Sequence, residues 1–402
     1  MSKRAKGEGS IYPHGDGWAA YVWVTTPSGE RKRKYVYGKE RNDVHAKWIK
    51  LHQAAVRGAV ETKSKTVEQY MHYWLQEVIK PNREPKTYDG YERFTRLHIV
   101  PWIGKKKLDR LSARDIQQWA NKLATVCQCC QQGIDERRLP HKCCAKGECC
   151  RKTLSPRAIS DARTVLRSAL SQAVTDELVE VNRAMQVRLP SGRKRRKKAW
   201  TTDEARRFLE HVRTDPLYAA YLLVLAMGLR KGEVLGLTWS SLDLEEGALE
   251  PSWQLQRVMG ELLHKKKAKT EESENALPMP DLCIKALQAR RERQQRDKAK
   301  AEYWHDSDLV FTTKFGTPIE PRNFHRYFVG QLESAGLPRI SVHDARRTCS
   351  SLLVDLDVHP RVIMAIMRHS DFKMTMEVYA QASNEATREA LRKLSENFEV
   401  KD

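Results

Sequence analysis

The chain is 402 residues long and carries 72 Lys and Arg against 51 Asp and Glu, a formal net charge of +21. Such a length accommodates two or three domains, and a surplus this large points to a polyanionic partner, whether DNA, RNA or an acidic membrane. No apolar run approaches the roughly 18 residues of a spanning helix, and Met1-Ser2-Lys3-Arg4-Ala5-Lys6 lacks an apolar signal core. We therefore expect a cytoplasmic protein with no membrane partner.

The first 62 residues read as a small β-sheet plus one helix. Trp18–Val24 is rich in β-formers, Pro27-Ser28-Gly29 supplies a turn and Arg31–Tyr37 gives another strand. Asn42 is placed to cap a helix carrying Val44, Trp48, Leu51 and Ala55 at helical spacing and ending at Gly58. Arg31, Arg33 and Lys34 stand beside Tyr35 and Tyr37. Lysines on an edge strand discourage pairing; in a chain this basic, the same cations suit a sheet laid against DNA.

Residues 63–190 turn helical. Thr66 with Gln69 forms a capping box, ahead of Val67, Tyr70, Trp74 and Val78. A second helix runs from near Thr87 through Tyr88, Tyr91, Phe94 and Leu97 to Pro101-Trp102-Ile103-Gly104. Ser112 with Asp115 opens a third, with Ile116, Trp119 and Leu123 inward, and Ser155 a fourth, with Ile159, Ala162, Leu166, Ala169 and Ala173 on one stripe. Stripes of this kind are core.

One segment, residues 127–150, interrupts this helical domain and holds seven of the chain's nine cysteines: Cys127, Cys129, Cys130, Cys143, Cys144, Cys149 and Cys150, with His141 nearby. Thiolates at such gaps suit tetrahedral zinc, and a long loop poor in hydrophobic residues needs a staple to be ordered. We expect a structural zinc ion held by four of them. Eight ligands would serve two ions, though adjacent cysteines fit one metal poorly. A disulfide-bonded or disordered loop is the alternative.

Residues 191–199 form a basic linker in which Arg193, Lys194, Arg195, Arg196 and Lys197 are followed by Lys198. Six successive cations repel, extend and seek an anion. The pattern alone fits a nuclear-localisation signal, but between two folded units it is better read as a strap along a phosphate backbone.

Beyond the linker, Thr201 with Glu204 forms another capping box, and Leu217–Met227 is an almost wholly apolar helix that must be buried. It gives way to Gly228-Leu229-Arg230-Lys231-Gly232-Glu233, and an Arg emerging there needs an anion or a pairing with Glu233. Residues 248–280 alternate like strands around the lysine-rich run that contains Lys269, and residues 281–303 read as a basic helix with a solvated face that includes Arg290.

His343 and Arg346 are three apart and share a helix face. The guanidinium can fork two phosphate oxygens while the imidazole moves a proton. Further on, His369 follows Arg368, and Tyr379 supplies a phenolic oxygen able to act as a nucleophile. A surface His, a salt-bridged Arg and a core Tyr would be the bland account of the same residues.

Arg230, Lys269, His343, Arg346, His369 and Tyr379, in this order and spacing, resemble the tyrosine recombinases, and most closely the integrases of phages and integrative plasmids. The resemblance spans nearly the whole chain. It implies a mainly α fold with small β-sheets (α+β), opened by a three-stranded sheet plus helix. It also implies an arm-type DNA-binding domain over 1–62, a helical core-binding domain over 63–190, a mixed α/β catalytic domain over 200–383 and a tail helix over 384–402. The activity implied is site-specific DNA recombination through a 3′-phosphotyrosine and a Holliday junction. Arg230 and Arg346 would clamp the phosphate, Tyr379 attack it and His343 take the tyrosine proton. Lys269 would protonate the leaving 5′ oxygen, and His369 hydrogen-bond the phosphate. No catalytic cofactor is implied. The partners implied are duplex DNA with core-type and arm-type sites, further copies of the chain in a tetramer, and a helper protein for excision, with the protein on the nucleoid when DNA-bound.

This sequence departs from the family pattern at several positions. Ala345 replaces a larger apolar residue, Arg347 a histidine and Arg368 a glycine, while Asn275 and Ala276 fall where an arginine is common, so Lys266 or Lys267 competes with Lys269 for the acid role. The cysteine-rich insertion looks like a form found in actinobacterial integrases. A type IB topoisomerase shares the chemistry, and a DNA-binding repressor with relic residues shares the fold.

Overall fold

The structure is a computed structural model that describes residues 11–26, 28–58, 60, 64–189, 199–266 and 276–368. It divides into two compact units, Met1–Arg193 and Lys194–Asp402.

In the first unit, β1 (Tyr12–His14), β2 (Gly17–Thr25) and β3 (Arg31–Gly38) form an antiparallel sheet in that order. Period-two alternation sends Val22, Val24 and Val36 to the face covered by Leu51 and Trp48 of α1 (Arg41–Arg57). The Trp48 indole N–H anchors the helix to the Tyr21 carbonyl at 3.1 Å. The helix starts earlier than Asn42 suggested: Glu40 is its N-cap and makes no side-chain cap bond.

The rest of the unit is a helical bundle. Thr66 and Gln69 exchange the expected reciprocal bonds and launch α2 (Val67–Tyr73), which continues through a π-helical stretch, Trp74–Ile79. Next, α3 (Pro85–Phe94) begins at a proline, two residues ahead of Thr87, and runs on through a second π stretch, Thr95–Ile99. Ser112 and Asp115 cap α4 (Ala113–Thr125), and Ser155 caps α5 (Pro156–Thr175). Trp74, Tyr70, Ile116, Trp119, Leu123 and Leu166 meet in one apolar core.

The second unit opens with α6 (Thr202–His211), capped by Thr201 and Glu204, and packs it with α7 (Tyr218–Ala226). Seven of the nine residues of α7 are buried, as its apolar composition requires. Then come α8 (Lys231–Gly236), the short strands β4 (Leu242–Asp243) and β5 (Ala248–Leu249), and the hairpin of β6 (Trp253–Val258) with β7 (Glu261–Lys266). Strand β8 (Leu277–Pro278) pairs with β5. Helices α9 (Asp281–Lys300), α10 (Pro321–Ser334), α11 (Val342–Asp355) and α12 (Pro360–Met367) complete the described part. One expected cation is not solvated. Arg290 is 5% exposed, and its guanidinium donates to the Val310 carbonyl at 2.9 Å and the Thr312 hydroxyl at 3.3 Å, so it braces the core from within. Among the described residues, no helix is long and apolar enough to cross a membrane.

A candidate phosphate-binding site and its neighbours

The site is built where α7 ends. Gly228 takes φ +60°, a left-handed turn residue that stops the helix. A Cβ there would lie 2.5 Å from the Met367 sulfur, so any side chain would force that methionine to shift as well as straining the left-handed backbone. The turn delivers Arg230 to the N-cap of α8, where Glu233, in the position of a capping-box acid, accepts the Arg230 backbone N–H at 2.8 Å. Gly236 lets α8 lie against β6, since a Cβ would sit 2.6 Å from Gln254 Cα.

Helix α11 supplies the second arginine. Ser341 and Asp344 form its capping box, fixing the first turn that carries His343 and Arg346. Arg346 is 3% exposed, and its guanidinium donates to the carbonyl oxygens of Gly228 and Met367. His343, on the same helix, stays exposed.

Two guanidiniums meet here on one carboxylate, with that of Arg346 beside them. Arg230 Nη1 donates to Glu233 Oε1 at 2.9 Å and Arg368 Nη2 to Glu233 Oε2 at 2.6 Å, while Arg230 Nη2 donates to the Arg368 carbonyl at 3.2 Å. Arg346 holds the neighbouring Met367 carbonyl, which brings Arg230 and Arg346 to consecutive peptide units. Glu233 is 1% exposed, and its single negative charge faces three positive ones, leaving a surplus of two. Burial, and then the Arg230 charge, push the Arg346 guanidinium down to about 10, and burial likewise lowers Arg368, with Glu233 opposing. Arg368 Nε and Nη1 are buried and find no hydrogen-bond partner among the described residues. A dianionic or monoanionic oxygen cluster would relieve both conditions.

Arg368 is the residue that the sequence did not single out as functional. It caps α12 at φ +48°, ψ +54°, the left-handed geometry that explains why a glycine is usual there. Its ion pair with Glu233, 135 residues away, holds it in place. Lys269, His369 and Tyr379 lie outside the described residues, as do Lys267, the linker cations Arg193, Lys194, Arg195, Arg196 and Lys197, and the tail 384–402. Lys266 is described and sits exposed at the end of β7.

In the first unit, the outer face of the sheet gathers cations and aromatic rings. Arg33 lies 4.8 Å from the ring centres of both Tyr21 and Trp23, and Arg31 lies 5.5 Å from Trp23. Trp23, Tyr35 and Tyr37 are each more than two-fifths exposed. Lys34 has the opposite parity on β3 and is half-buried. In the cysteine segment, all seven thiols are free, and their sulfurs lie near one another, Cys127 to Cys144 at 3.7 Å and Cys130 to Cys149 at 3.7 Å. His141 instead turns Nδ1 to the Asp135 carbonyl at 3.4 Å.

An arginine cluster around one buried acid, on a helical α+β scaffold, is suited to holding an anion such as a backbone phosphate. Residues 198–386 match the phage integrase family, and residues 66–124 match the phage integrase N-terminal SAM-like domain. A tyrosine recombinase XerC-like protein of Caldanaerobacter subterraneus is 25% identical over 391 residues, covering 92% of this chain and 93% of its own length. An integrase of Streptomyces ambofaciens is 25% identical over 399 residues, 94% and 93% of the two chains. Among solved structures, the Tn1549 transposon integrase in complex with transposon right end DNA superposes with a TM-score of 0.65 at 22% identity, covering 82% of this chain and 99% of that one. A lambda integrase dimer bound to a core site gives 0.51 at 16% identity, covering 94% and 96%. The chain belongs to the phage integrase family of tyrosine recombinases, and is a DNA strand-transferring enzyme of site-specific recombination.

Proposed function

We propose that the chain inserts and excises a mobile DNA element through a 3′-phosphotyrosine on Tyr379 and a Holliday junction, acting as a tetramer. The observation that carries this reading is the two-charge surplus where Arg230, Arg346 and Arg368 surround Glu233. Arg346, locked by two backbone carbonyls, and Arg230, braced by Glu233, hold the scissile phosphate and stabilise the charge that grows on its oxygens. Tyr379 gives its proton to His343 as its oxygen attacks phosphorus. Lys269 protonates the departing 5′ oxygen, and His369 hydrogen-bonds the phosphate. The phosphotyrosine keeps the bond energy for religation, so no nucleotide is consumed.

The remaining residues serve placement. Residues 1–62 bind arm-type sites, with Arg31, Arg33 and the exposed aromatic rings of the sheet toward the DNA, assisted by Lys34. Residues 63–190 bind core-type sites, 191–199 strap a phosphate backbone, 200–383 carry the chemistry and 384–402 dock on a neighbouring protomer. A structural zinc staples the cysteine segment, and a helper protein assists excision on the nucleoid of the cytoplasm. Relatives support the DNA partner: the Tn1549 integrase was solved with circular-intermediate DNA and the lambda integrase on a core site. Two differently labelled duplexes bearing the element's junctions test the proposal. The wild-type chain should join the labels and Tyr379→Phe should not, whereas relaxation of supercoils without joining would favour the topoisomerase reading.

A further inference from the structure

The clustered thiols fall into two overlapping quartets. Cys127, Cys130, Cys144 and Cys149 have sulfurs all within 4.8 Å of one another, and so do Cys127, Cys129, Cys144 and Cys150. Cys127 and Cys144 belong to both. The sulfur separations are 3.7 Å for Cys127–Cys144, 3.6 Å for Cys127–Cys150, 3.7 Å for Cys130–Cys149 and 3.9 Å for Cys144–Cys150. A zinc ion with bonds of about 2.3 Å in a regular tetrahedron sets its ligand sulfurs roughly 3.8 Å apart, whereas a disulfide needs about 2.05 Å. These four separations match those of ligands around a metal and are far too long for disulfides, and a single ion with four ligands would leave two of the six thiols unligated beside it.

We propose that residues 127–150 hold two zinc ions in one six-thiolate cluster, with Cys127 and Cys144 bridging both metals. Cys130 and Cys149 are the end ligands of one ion, Cys129 and Cys150 of the other. The inference rests on the zinc staple proposed above and makes it binuclear. It also removes the difficulty of adjacent cysteines, because Cys129-Cys130 and Cys149-Cys150 each send one ligand to each metal. Charge balances: six thiols release six protons, two Zn²⁺ add four positive charges, and the cluster keeps a net charge of minus two. Lys142, Lys146, Arg151 and Lys152 supply cations in and just after the same segment. Cys143 stands aside, grouped instead with Asp135 and Cys150, and the buried Asp135 is already ion-paired to Arg138 at 3.0 Å. The cluster closes a loop whose base is pinned by the Gln128 N–H on the Lys152 carbonyl at 2.9 Å, and so ties the end of α4 to the start of α5.

Native mass spectrometry and zinc-edge X-ray absorption on the full chain, grown with zinc and purified without chelator, test this. The expected result is two zinc ions per chain, an all-sulfur first shell and a zinc–zinc scattering path. Cys143→Ser should keep both ions, while Cys144→Ser should lose at least one and the zinc–zinc path. One zinc per chain, or two without a zinc–zinc path, overturns the bridged cluster while leaving a zinc staple standing. No zinc overturns both. Strand joining reports separately on the recombinase reading.

Discussion

Replacing Glu233 with Gln removes the one negative charge among three guanidiniums while keeping the side chain's size. Glu233 is 1% exposed and accepts three bonds, from the Arg230 backbone N–H at 2.8 Å, Arg230 Nη1 at 2.9 Å and Arg368 Nη2 at 2.6 Å. An amide offers only one oxygen, so one donor is left facing an NH₂ group. Arg230, whose side chain is 43% exposed, can turn to solvent at little cost; Arg368, at 12%, cannot. Breaking a buried pair from one side costs about 3–5 kcal/mol, and the exposed partner pulls this case to the lower end, about 3 kcal/mol. For a unit of this size each kcal/mol moves Tm by about 2–4 °C, so a fall of roughly 6–12 °C is expected. Calorimetry measures it, and hydrogen exchange of peptides from 218–236 and 342–355 assigns the loss to the site. Duplex DNA should reduce the loss, because a bound phosphate replaces the missing anion. A Tm within about 2 °C of wild type would refute the view that this carboxylate holds the arginines together.

Three further outcomes follow from other contacts. Gly236→Ala should destabilise the second unit by about 2 kcal/mol in chemical denaturation, since its Cβ would meet the backbone of Gln254 at 2.6 Å; a neutral or stabilising effect, normal for an exposed helix position, would contradict the close packing of α8 on β6. His98 is 7% exposed and burial lowers its pKa, with Arg93 adding to the effect. Its unfolded form therefore takes up a proton that the folded form resists, so stability is unaffected above about pH 6.5 and falls as pH drops below it. Thermal melts between pH 7.5 and 5.5 should show stability falling toward the acid end, a fall that His98→Leu flattens. Substituting both Arg31 and Arg33 with Ala should weaken binding to arm-type duplex and make its salt dependence shallower by up to about two units of log–log slope, as fluorescence anisotropy would read; an unchanged slope would mean that the sheet face does not meet phosphate.

Much of this was legible because it is local. Capping at Thr66, Ser112, Ser155 and Thr201 depends on side-chain oxygens that accept from backbone N–H groups three residues on, and all four helices begin where those residues stand. The apolar run of α7 could only be interior, and Arg230 at its end pairs with Glu233, one of the two kinds of partner open to it. What sequence did not give depends on partners far along the chain. Arg368 reads as a deviation from a glycine, and only the fold brings it to Glu233 across 135 residues. Arg290 reads as one cation among many on a basic helix, yet the carbonyl of Val310 draws it inward. The pairing of cysteines is likewise a matter of which loop ends meet, and His141, close in sequence, turns away from the sulfurs. The α1 start moved to Glu40 because a cap residue is only one way to begin a helix.

The central claim is that the arginine-lined site presents one backbone phosphate to Tyr379. A duplex nicked just beyond the cleavage position lets the 5′-OH fragment escape and traps the covalent intermediate, and mass spectrometry of the DNA-linked peptide identifies the attached residue. The account predicts an adduct on the peptide containing Tyr379, absent in Tyr379→Phe and reduced at least about a hundredfold in Arg346→Ala. An adduct on any other residue, or one that forms equally well without Arg346, would contradict it.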